Sequence, residues 1–446
     1  MAKFAVTVRV VALGVIILVL LVPLALIGGI TTERAKRRET VFQEVAAVWG
    51  GSQLVSGPVL SVPFTVGEGE ADGRVRHLAR VLRVLAHRAT IDVKLEPEIR
   101  RRGIFEAPVY TARLLISGEF AVPAAGAFGP NVESVSWQEA RLSVGLRDLR
   151  GVASQPSFAW AGKPLEVEPG SADMPAASLS ARVPAPADAP SDGLVAFTVA
   201  LDVRGGRSLM IAPLAGAASV SMVSAWPSPG FGGARLPDRY QINRDGFTAE
   251  WKSSAFGRNL PKAWTDGELP LQAVQERIDR QAFGVTLTTP VDVYQQAERS
   301  TKYGVLFIAL TFLTFFLVET LYGATVHPVQ YLMIGAALCL FYLLLLALSE
   351  HIGFTPAYLL AAGSTIALIG GYARAALGAR RSALAITIML VALYGCLYVL
   401  LQLEDYALMM GSIFLFAVLA AVMFVTRRVN WYEVASTRPA TRTPGA

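Results

Sequence analysis

The chain has 446 residues, a formal net charge of +6 and a hydrophobic fraction of 53%, while only 17% of its residues are charged. These averages combine lipid-soluble ends with an ordinary water-soluble middle. The basic residues are scattered rather than interleaved with aromatic residues, which argues against nucleic acid as a partner. Both cysteines, Cys339 and Cys396, lie in apolar runs, which excludes a cysteine-based metal site or nucleophile in the middle of the chain.

Apolar runs long enough to cross a bilayer occur at the start and in the last third of the chain. A bilayer core about 30 Å thick needs about 20 apolar helical residues. The first run is too long for a typical signal peptide and lacks a clear cleavage site, so an uncleaved anchor is predicted. The six predicted spans are Val10–Ile30, Tyr303–Tyr322, Val329–Leu348, Ile352–Tyr372, Ser382–Leu403 and Tyr406–Thr426.

These spans predict a membrane protein with one N-terminal transmembrane helix, a large mainly β domain and a C-terminal bundle of five transmembrane helices. The predicted parts are the anchor at 1–31, the β domain at 32–302, the bundle at 303–426 and a tail at 427–446. Within the domain, residues 161–193 are rich in proline, alanine and serine, and are predicted to form a linker.

The domain is predicted to begin with a helix at Thr32–Trp49, where apolar residues recur at i, i+4 spacing. Alternating runs such as Leu194–Val203 then predict strands. Two of these runs end in the same D-x-R-G pattern, at Asp148–Gly151 and at Asp202–Gly205. The pattern fits a duplicated β unit with two lobes, and it equally fits coincidence between two common turn endings.

Positive charge predicts the orientation, because arginine and lysine favour cytoplasmic loops. Basic residues lie between the fourth and fifth spans and after the last one, whereas acidic residues occupy the turns on the opposite side. Both termini are therefore predicted to be cytoplasmic, and the domain is predicted to lie outside the cytoplasmic membrane, in the periplasm of a cell with two membranes. A basic cluster at residues 34–38, directly after the first span, disagrees with this orientation.

Charged side chains within membrane spans are costly, so each one is a candidate functional residue. Glu319 lies in the last turn of the second span, where it could pair with His327 of the following loop or act in a proton or substrate path. Glu350 and His351 lie together at an outer turn, and Glu404 with Asp405 fills the other outer turn. A carboxylate beside an imidazole can move protons, but two ligands do not make a zinc site.

Small residues repeat at four-residue spacing in the fourth span, at Gly363, Ala367 and Gly371. Such spacing lets membrane helices approach closely. Tight packing within the bundle is the preferred interpretation, and an interface between copies of the chain is the alternative.

Several strings in the chain resemble the CreD family of bacterial inner-membrane proteins. The main ones are Tyr294–Gly304, His327–Leu332, Phe341–Leu346, Ser349–Phe354, Leu403–Leu408, Asn430–Tyr432 and Arg102–Phe105. The resemblance extends over nearly the whole chain. It implies the same layout of anchor, periplasmic domain and helical bundle, and a place in a two-component-controlled response tied to envelope integrity. It supplies no catalytic residues.

Three functions are compatible with these observations. The preferred one is a non-enzymatic envelope protein whose periplasmic domain binds a ligand or protein partner, while the bundle anchors it or transmits a signal. The alternative is a transporter or lipid-handling protein that uses Glu319, Glu350 and His351 in a path, with a homo-oligomer supplying further helices. An enzyme is least favoured, because no nucleophile or phosphate-binding motif accompanies Glu350 and His351. No catalytic residue, metal or cofactor is predicted.

Overall fold

The structure is a computed structural model in which residues 2–69, 75–170, 174, 177–185, 193–254, 260–288, 293–322, 326–377, 380–403 and 406–427 are described. The chain divides into two compact units. The bundle unit consists of Met1–Arg38 and Val291–Ala446, and the β unit consists of Glu39–Pro290.

Seven α-helices are present in the described residues. They are α1 (Ala2–Val48), α2 (Leu271–Gln281), α3 (Val293–Tyr322), α4 (Pro328–Ile352), α5 (Phe354–Leu377), α6 (Arg380–Gln402) and α7 (Ala407–Thr426). All except α2 are long and apolar enough to cross a membrane, which confirms the one-plus-five arrangement of spans. The helix predicted at Thr32–Trp49 is also confirmed, since α1 continues without interruption to Val48.

Seventeen strands form in the described part of the β unit. They are β1 (Gln53–Gly69), β2 (Val75–Arg102), β3 (Phe105–Ala121), β4 (Val132–Val135), β5 (Arg141–Leu146), β6 (Ser157–Trp160), β7 (Lys163–Leu165), β8 (Val167–Pro169), β9 (Ser178–Arg182), β10 (Leu194–Gly206), β11 (Ser208–Pro213), β12 (Ala215–Ser224), β13 (Pro229–Gly233), β14 (Arg239–Asn243), β15 (Gly246–Ser254), β16 (Ala263–Thr265) and β17 (Phe283–Leu287). The domain is therefore mainly β, as predicted.

Strand β2 belongs to two sheets. Its first half pairs with β1 and β16, and its second half pairs with β3 and β12. The second sheet, here called sheet B, has the order β14-β15-β12-β2-β3-β10-β6-β7. One buried cluster draws residues from both sheets, including Leu60 and Leu142 from the first and Ile91 and Val199 from sheet B. The two sheets thus share a core, and the two-lobed alternative finds no support.

The two D-x-R-G segments have different structures. Asp148 precedes a short 3₁₀ helix at Leu149–Gly151 and accepts a hydrogen bond from the Arg150 backbone N–H at 2.9 Å. Asp202, by contrast, lies inside β10 and pairs in register with Arg113. The shared letters are therefore a coincidence, because the tertiary surroundings differ even though each segment follows an alternating run.

The segment at 161–193 differs from the linker expected there. It contains the short strands β7, β8 and β9. Strand β9 pairs with β5, and its first four residues are buried. Short strands escape detection in a proline-rich and alanine-rich segment, because three to five residues are too few to show a period.

The bundle unit is packed through close contacts of α1 with α3 and α4. A Cβ atom added to Gly335 would overlap the side chain of Leu20, and one added to Gly304 would lie 2.8 Å from Leu24 Cδ1. Both glycines therefore permit a close helix approach. The stripe predicted in α5 does not have this role. Its two glycines, Gly363 and Gly371, are exposed and have nothing within 4 Å of an added Cβ. The preferred interpretation of that stripe, packing within the bundle, is wrong.

Candidate functional site

Glu319 lies near the end of α3, facing the start of α4. Its side chain is buried, with a relative exposure of 7% for the residue. It accepts a hydrogen bond of 3.1 Å from the hydroxyl of Tyr331, which is itself buried between the rings of Phe312 and Phe315. The carboxylate is thus held by a rigid aromatic partner, a residue to which the sequence pattern gave no role.

His327 precedes α4 and caps it. Its Nδ1 accepts a hydrogen bond from the Val329 backbone N–H at 3.3 Å, and the Gln330 side chain accepts one from the His327 N–H at 2.9 Å. This reciprocal pattern is a capping box that satisfies two N–H groups at the helix start. An Nδ1 that accepts a hydrogen bond places the imidazole proton of the neutral ring on Nε2.

Glu319 and His327 line the same cavity, which has a volume of 420 Å³. The side formed by α1 is apolar, with Ala12, Leu13 and Ile16. The rest of the described lining, here called the polar side, comes from α3, α4 and the segment before α4, and it combines polar and apolar residues: Glu319, His327, Gln330, Tyr331, Phe316, Val326 and Pro328. The structure therefore brings the two sequence-predicted residues together, in a site of the size that small ligands occupy.

Glu350 belongs to a different cluster, at the far end of α4. Its side chain is 10% exposed and accepts a hydrogen bond of 3.0 Å from the Tyr294 hydroxyl at the start of α3. The guanidinium of Arg34 on α1 lies 4.0 Å from the same carboxylate oxygen, and Arg38 lies over the Tyr294 ring at 5.6 Å. This cluster joins α1, α3 and α4 and uses part of the basic segment that follows the first span.

His351 does not share this environment, because it is exposed. Adjacent helix residues point about 100° apart, so neighbouring positions in the sequence do not converge on one site. Glu404 and Asp405 lie outside the described residues. The candidate pair of Glu350 and His351 therefore does not share one site, because Glu350 belongs to an ion-pair cluster and His351 lies on the surface.

The two buried carboxylates lie at opposite ends of the bundle unit. Glu319 is near the C-terminal end of α3, and the partner of Glu350 is Tyr294 at its N-terminal end. At about 1.5 Å per residue, the length of α3 between these two positions corresponds to roughly 38 Å. Glu319 and Glu350 therefore do not line one shared cavity.

The β unit carries a separate groove on the outer face of sheet B. Two rows of outward-facing side chains align there because the strands are in register. The first row is Ser221, Asp92, Leu115, Ala200 and Ser157, and the second is Val223, Lys94, Arg113 and Asp202. Together with Ser154 and Gln155 they line an open groove of 650 Å³.

The two basic side chains of this groove share one acidic partner, Glu96, which lies further along β2. Arg113 donates to Glu96 at 3.3 Å, Lys94 lies 3.1 Å from the same carboxylate, and Ser154 donates to Asp202 at 2.9 Å. The hydrogen bond from Lys94, together with the charges of Arg113 and Lys94, lowers the pKa of Glu96. The groove therefore has a row in which the basic charges are paired, beside a floor of small and apolar residues.

Two apolar side chains in the groove are unusually open to solvent. Leu115 and Val223 are each 46% exposed, and Ala200 lies between Leu115 and Ser157 of β6. An exposed apolar patch with a polar margin is typical of binding surfaces. Alternation along each strand predicts which residues point outward, but only the register between strands brings these residues together.

The described residues contain no group of three or more histidine, cysteine, aspartate or glutamate side chains that could hold a metal ion.

Sequence comparison places this architecture among known proteins. A family described as "Inner membrane protein CreD" matches residues 5–432. The chain is also similar to "Inner membrane protein CreD" of Escherichia coli (strain K12), with 32% identity over 419 residues, or 93% of this chain and 91% of the relative. The chain belongs to the CreD family. Membership and the six apolar helices establish a multi-pass protein of the bacterial inner membrane.

Proposed function

We propose that this CreD-family protein is a non-enzymatic component of the cell-envelope stress response. Its β unit binds a ligand or protein partner in the periplasm, and its bundle unit anchors that domain or transmits the bound state. The family resemblance supports the envelope role, and the groove on sheet B supports the binding role.

The groove is the single observation on which the binding proposal rests. Its floor has an exposed leucine and valine with small neighbours, and its two basic side chains are paired with Glu96. A surface of this kind gains free energy by covering apolar area, at about 25 cal/mol per Å². The preferred occupant is therefore a partner that brings apolar side chains rather than a strongly charged ligand.

The periplasmic location of the β unit is part of the proposal and follows from the charge bias of the later loops. A cysteine at Ala196, an exposed position on β10, tests it in a background without Cys339 and Cys396. A maleimide that cannot cross the inner membrane should label this cysteine in cells with a permeable outer membrane. Labelling only after lysis would place the β unit in the cytoplasm.

Two substitutions on one strand test the groove itself. Ala200→Trp fills the groove floor, whereas Ala196→Trp places the same ring on the same face of β10 outside the groove lining. In a strain that lacks the gene, Ala200→Trp should fail to restore survival under envelope stress, while Ala196→Trp should restore it at equal membrane levels. Full rescue by Ala200→Trp would rule out the groove as the binding site.

The transport alternative requires Glu319, Glu350 and His351 along one path. Their separation along the bundle unit and the exposure of His351 favour the anchoring role instead. Glu350→Gln and His351→Ala should therefore rescue the stress phenotype, while a variant without residues 39–290 should not. Normal insertion combined with loss of rescue in either point variant would favour transport.

A further inference from the structure

We propose that the cavity beside Glu319 binds the headgroup of a membrane lipid that carries a primary ammonium group, such as phosphatidylethanolamine. This inference concerns the bundle unit and does not depend on the groove of the β unit.

The position of the cavity supports a lipid headgroup as its ligand. It is lined by residues of three helices that are long and apolar enough to cross a membrane. Glu319 lies one turn from the end of α3, and Pro328 is the first residue of α4. The cavity therefore lies at an end of the helices, which is the depth at which lipid headgroups meet a membrane protein.

The composition of the lining also supports a lipid. The apolar side, which α1 forms with Ala12, Leu13 and Ile16, suits the glycerol region and the upper acyl chain of a lipid. The polar side suits a headgroup. A site for a free polar solute would not need the apolar side, and a site for an acyl chain alone would not contain a buried carboxylate.

The negative charge on the polar side favours a cationic group. Among the described lining residues, Glu319 supplies the one acidic group, and its orientation is fixed by the Tyr331 hydroxyl. A carboxylate in a membrane helix is stabilised by a cation that reaches it. An ammonium group carries that charge with N–H donors, and charge-assisted hydrogen bonds of this kind are stronger than neutral ones.

The polar side also has a donor that suits the phosphate of the same headgroup. His327 lines the cavity and uses its Nδ1 to cap α4, which leaves the Nε2 proton as a donor in the neutral ring. A carboxylate and an N–H donor in one cavity match a zwitterion, because one side takes the ammonium and the other takes the phosphate. A lipid with an uncharged polyol headgroup matches only the second of these.

The test measures lipid binding to the full-length, detergent-purified protein by native mass spectrometry. The probes share their acyl chains and differ in headgroup: phosphatidylethanolamine, phosphatidylcholine and phosphatidylglycerol. Phosphatidylethanolamine should bind about tenfold more tightly than the other two, because only it offers N–H donors to the carboxylate. Equal binding of the three lipids by the wild-type protein would overturn the proposal.

Variants locate the site. Glu319→Gln should remove the preference for phosphatidylethanolamine, whereas Glu350→Gln, which changes the other buried carboxylate of the bundle unit, should keep it. Ala12→Phe should weaken binding of all three lipids, because it fills the apolar side of the cavity. A preference that survives in Glu319→Gln, or binding that Ala12→Phe does not weaken, would place the lipid elsewhere. If Glu319→Gln does not accumulate, the wild-type series and Ala12→Phe decide the outcome.

Discussion

The β unit and the bundle unit are built from the same apolar residue types but expose them differently. In β10, Val195, Phe197 and Val199 are buried while the residues between them face outward. In α7, by contrast, Ala407 is the one buried residue of the helix, and Phe416 is 74% exposed. The apolar side chains on the inner face of β10 are hidden from water, whereas most apolar side chains of α7 face outward, toward lipid.

It follows that a period in the sequence reveals the buried face in only one of the two units. A strand in water must alternate, because its outer face is solvated. A membrane helix has no such requirement, since lipid tails are as apolar as the helix interface. In the bundle unit, the polar residues and the glycines therefore indicate the buried helix faces better than the apolar residues do.

The largest expected effect contrasts two phenylalanines. Phe197→Ala should lower the free energy of unfolding of the β unit by about 3–5 kcal/mol, because Phe197 is buried and packs against Phe120 with ring centroids 5.1 Å apart. Phe416→Ala should change stability by less than about 0.5 kcal/mol. Chemical denaturation of the full chain in detergent measures both. Equal losses would mean that Phe416 has a protein partner rather than lipid.

The next effect contrasts two glycines of the bundle unit. Gly335→Leu should destabilise it by about 3 kcal/mol, the upper end for overpacking, since the Leu20 side chain occupies the space. Gly363→Leu should be close to neutral, because its surroundings are open. The thermal midpoint in detergent reports the difference. A large loss for Gly363→Leu in a membrane, but not in detergent, would indicate contact between copies of the chain.

A smaller effect is expected at the Glu350 cluster. Tyr294→Phe removes one hydrogen bond to a carboxylate and should cost about 1.5 kcal/mol. Tyr406→Phe is the matched control, because Tyr406 is 61% exposed and should tolerate the change. Thermal unfolding at low and at high salt separates the hydrogen bond from the weaker Arg34 attraction, which salt screens. If the two variants unfold at the same temperature, the hydrogen bond from Tyr294 to Glu350 does not stabilise the bundle unit.

The smallest effect is expected at Asp148 in the β unit. The hydrogen bond from Arg150 lowers the pKa of Asp148 below its ordinary value. A lowered pKa contributes stability above the ordinary value and loses it as the pH falls. Arg150→Ala should lower the stability of the β unit only slightly at neutral pH, because Arg150 is exposed and water screens its charge.

This cost should shrink as the pH falls below about 4. Urea denaturation at pH 7 and at acidic pH checks the sign. A cost that grows toward acid would contradict the assignment of the shift to Arg150.

Much of the fold was accessible from the sequence. The six spans follow from apolar length, and the strand-rich middle follows from alternation in segments such as Leu194–Val203. The linker at 161–193 was harder, since β7 to β9 are too short to show a period. The small-residue stripe of α5 misled, because its spacing is the same whether a helix faces protein or lipid.

The candidate sites were accessible only in part. Charge within an apolar run drew attention to Glu319 and Glu350, and proximity in the sequence suggested His327. Their hydroxyl partners, Tyr331 and Tyr294, lie on different helices from the carboxylates that they bind. No local pattern reports a contact between helices, so these partners emerged only from the folded chain.

The sequence by itself determined where the chain can enter a bilayer and which part stays in water, because both depend on the local run of apolar residues. It also determined the direction in which strand residues point. Only the tertiary structure decided that Glu319 and Glu350 lie at opposite ends of the bundle unit, and that Leu115, Ala200 and Val223 share one groove. These arrangements depend on strand register and helix packing, which bring together residues that are far apart in the sequence.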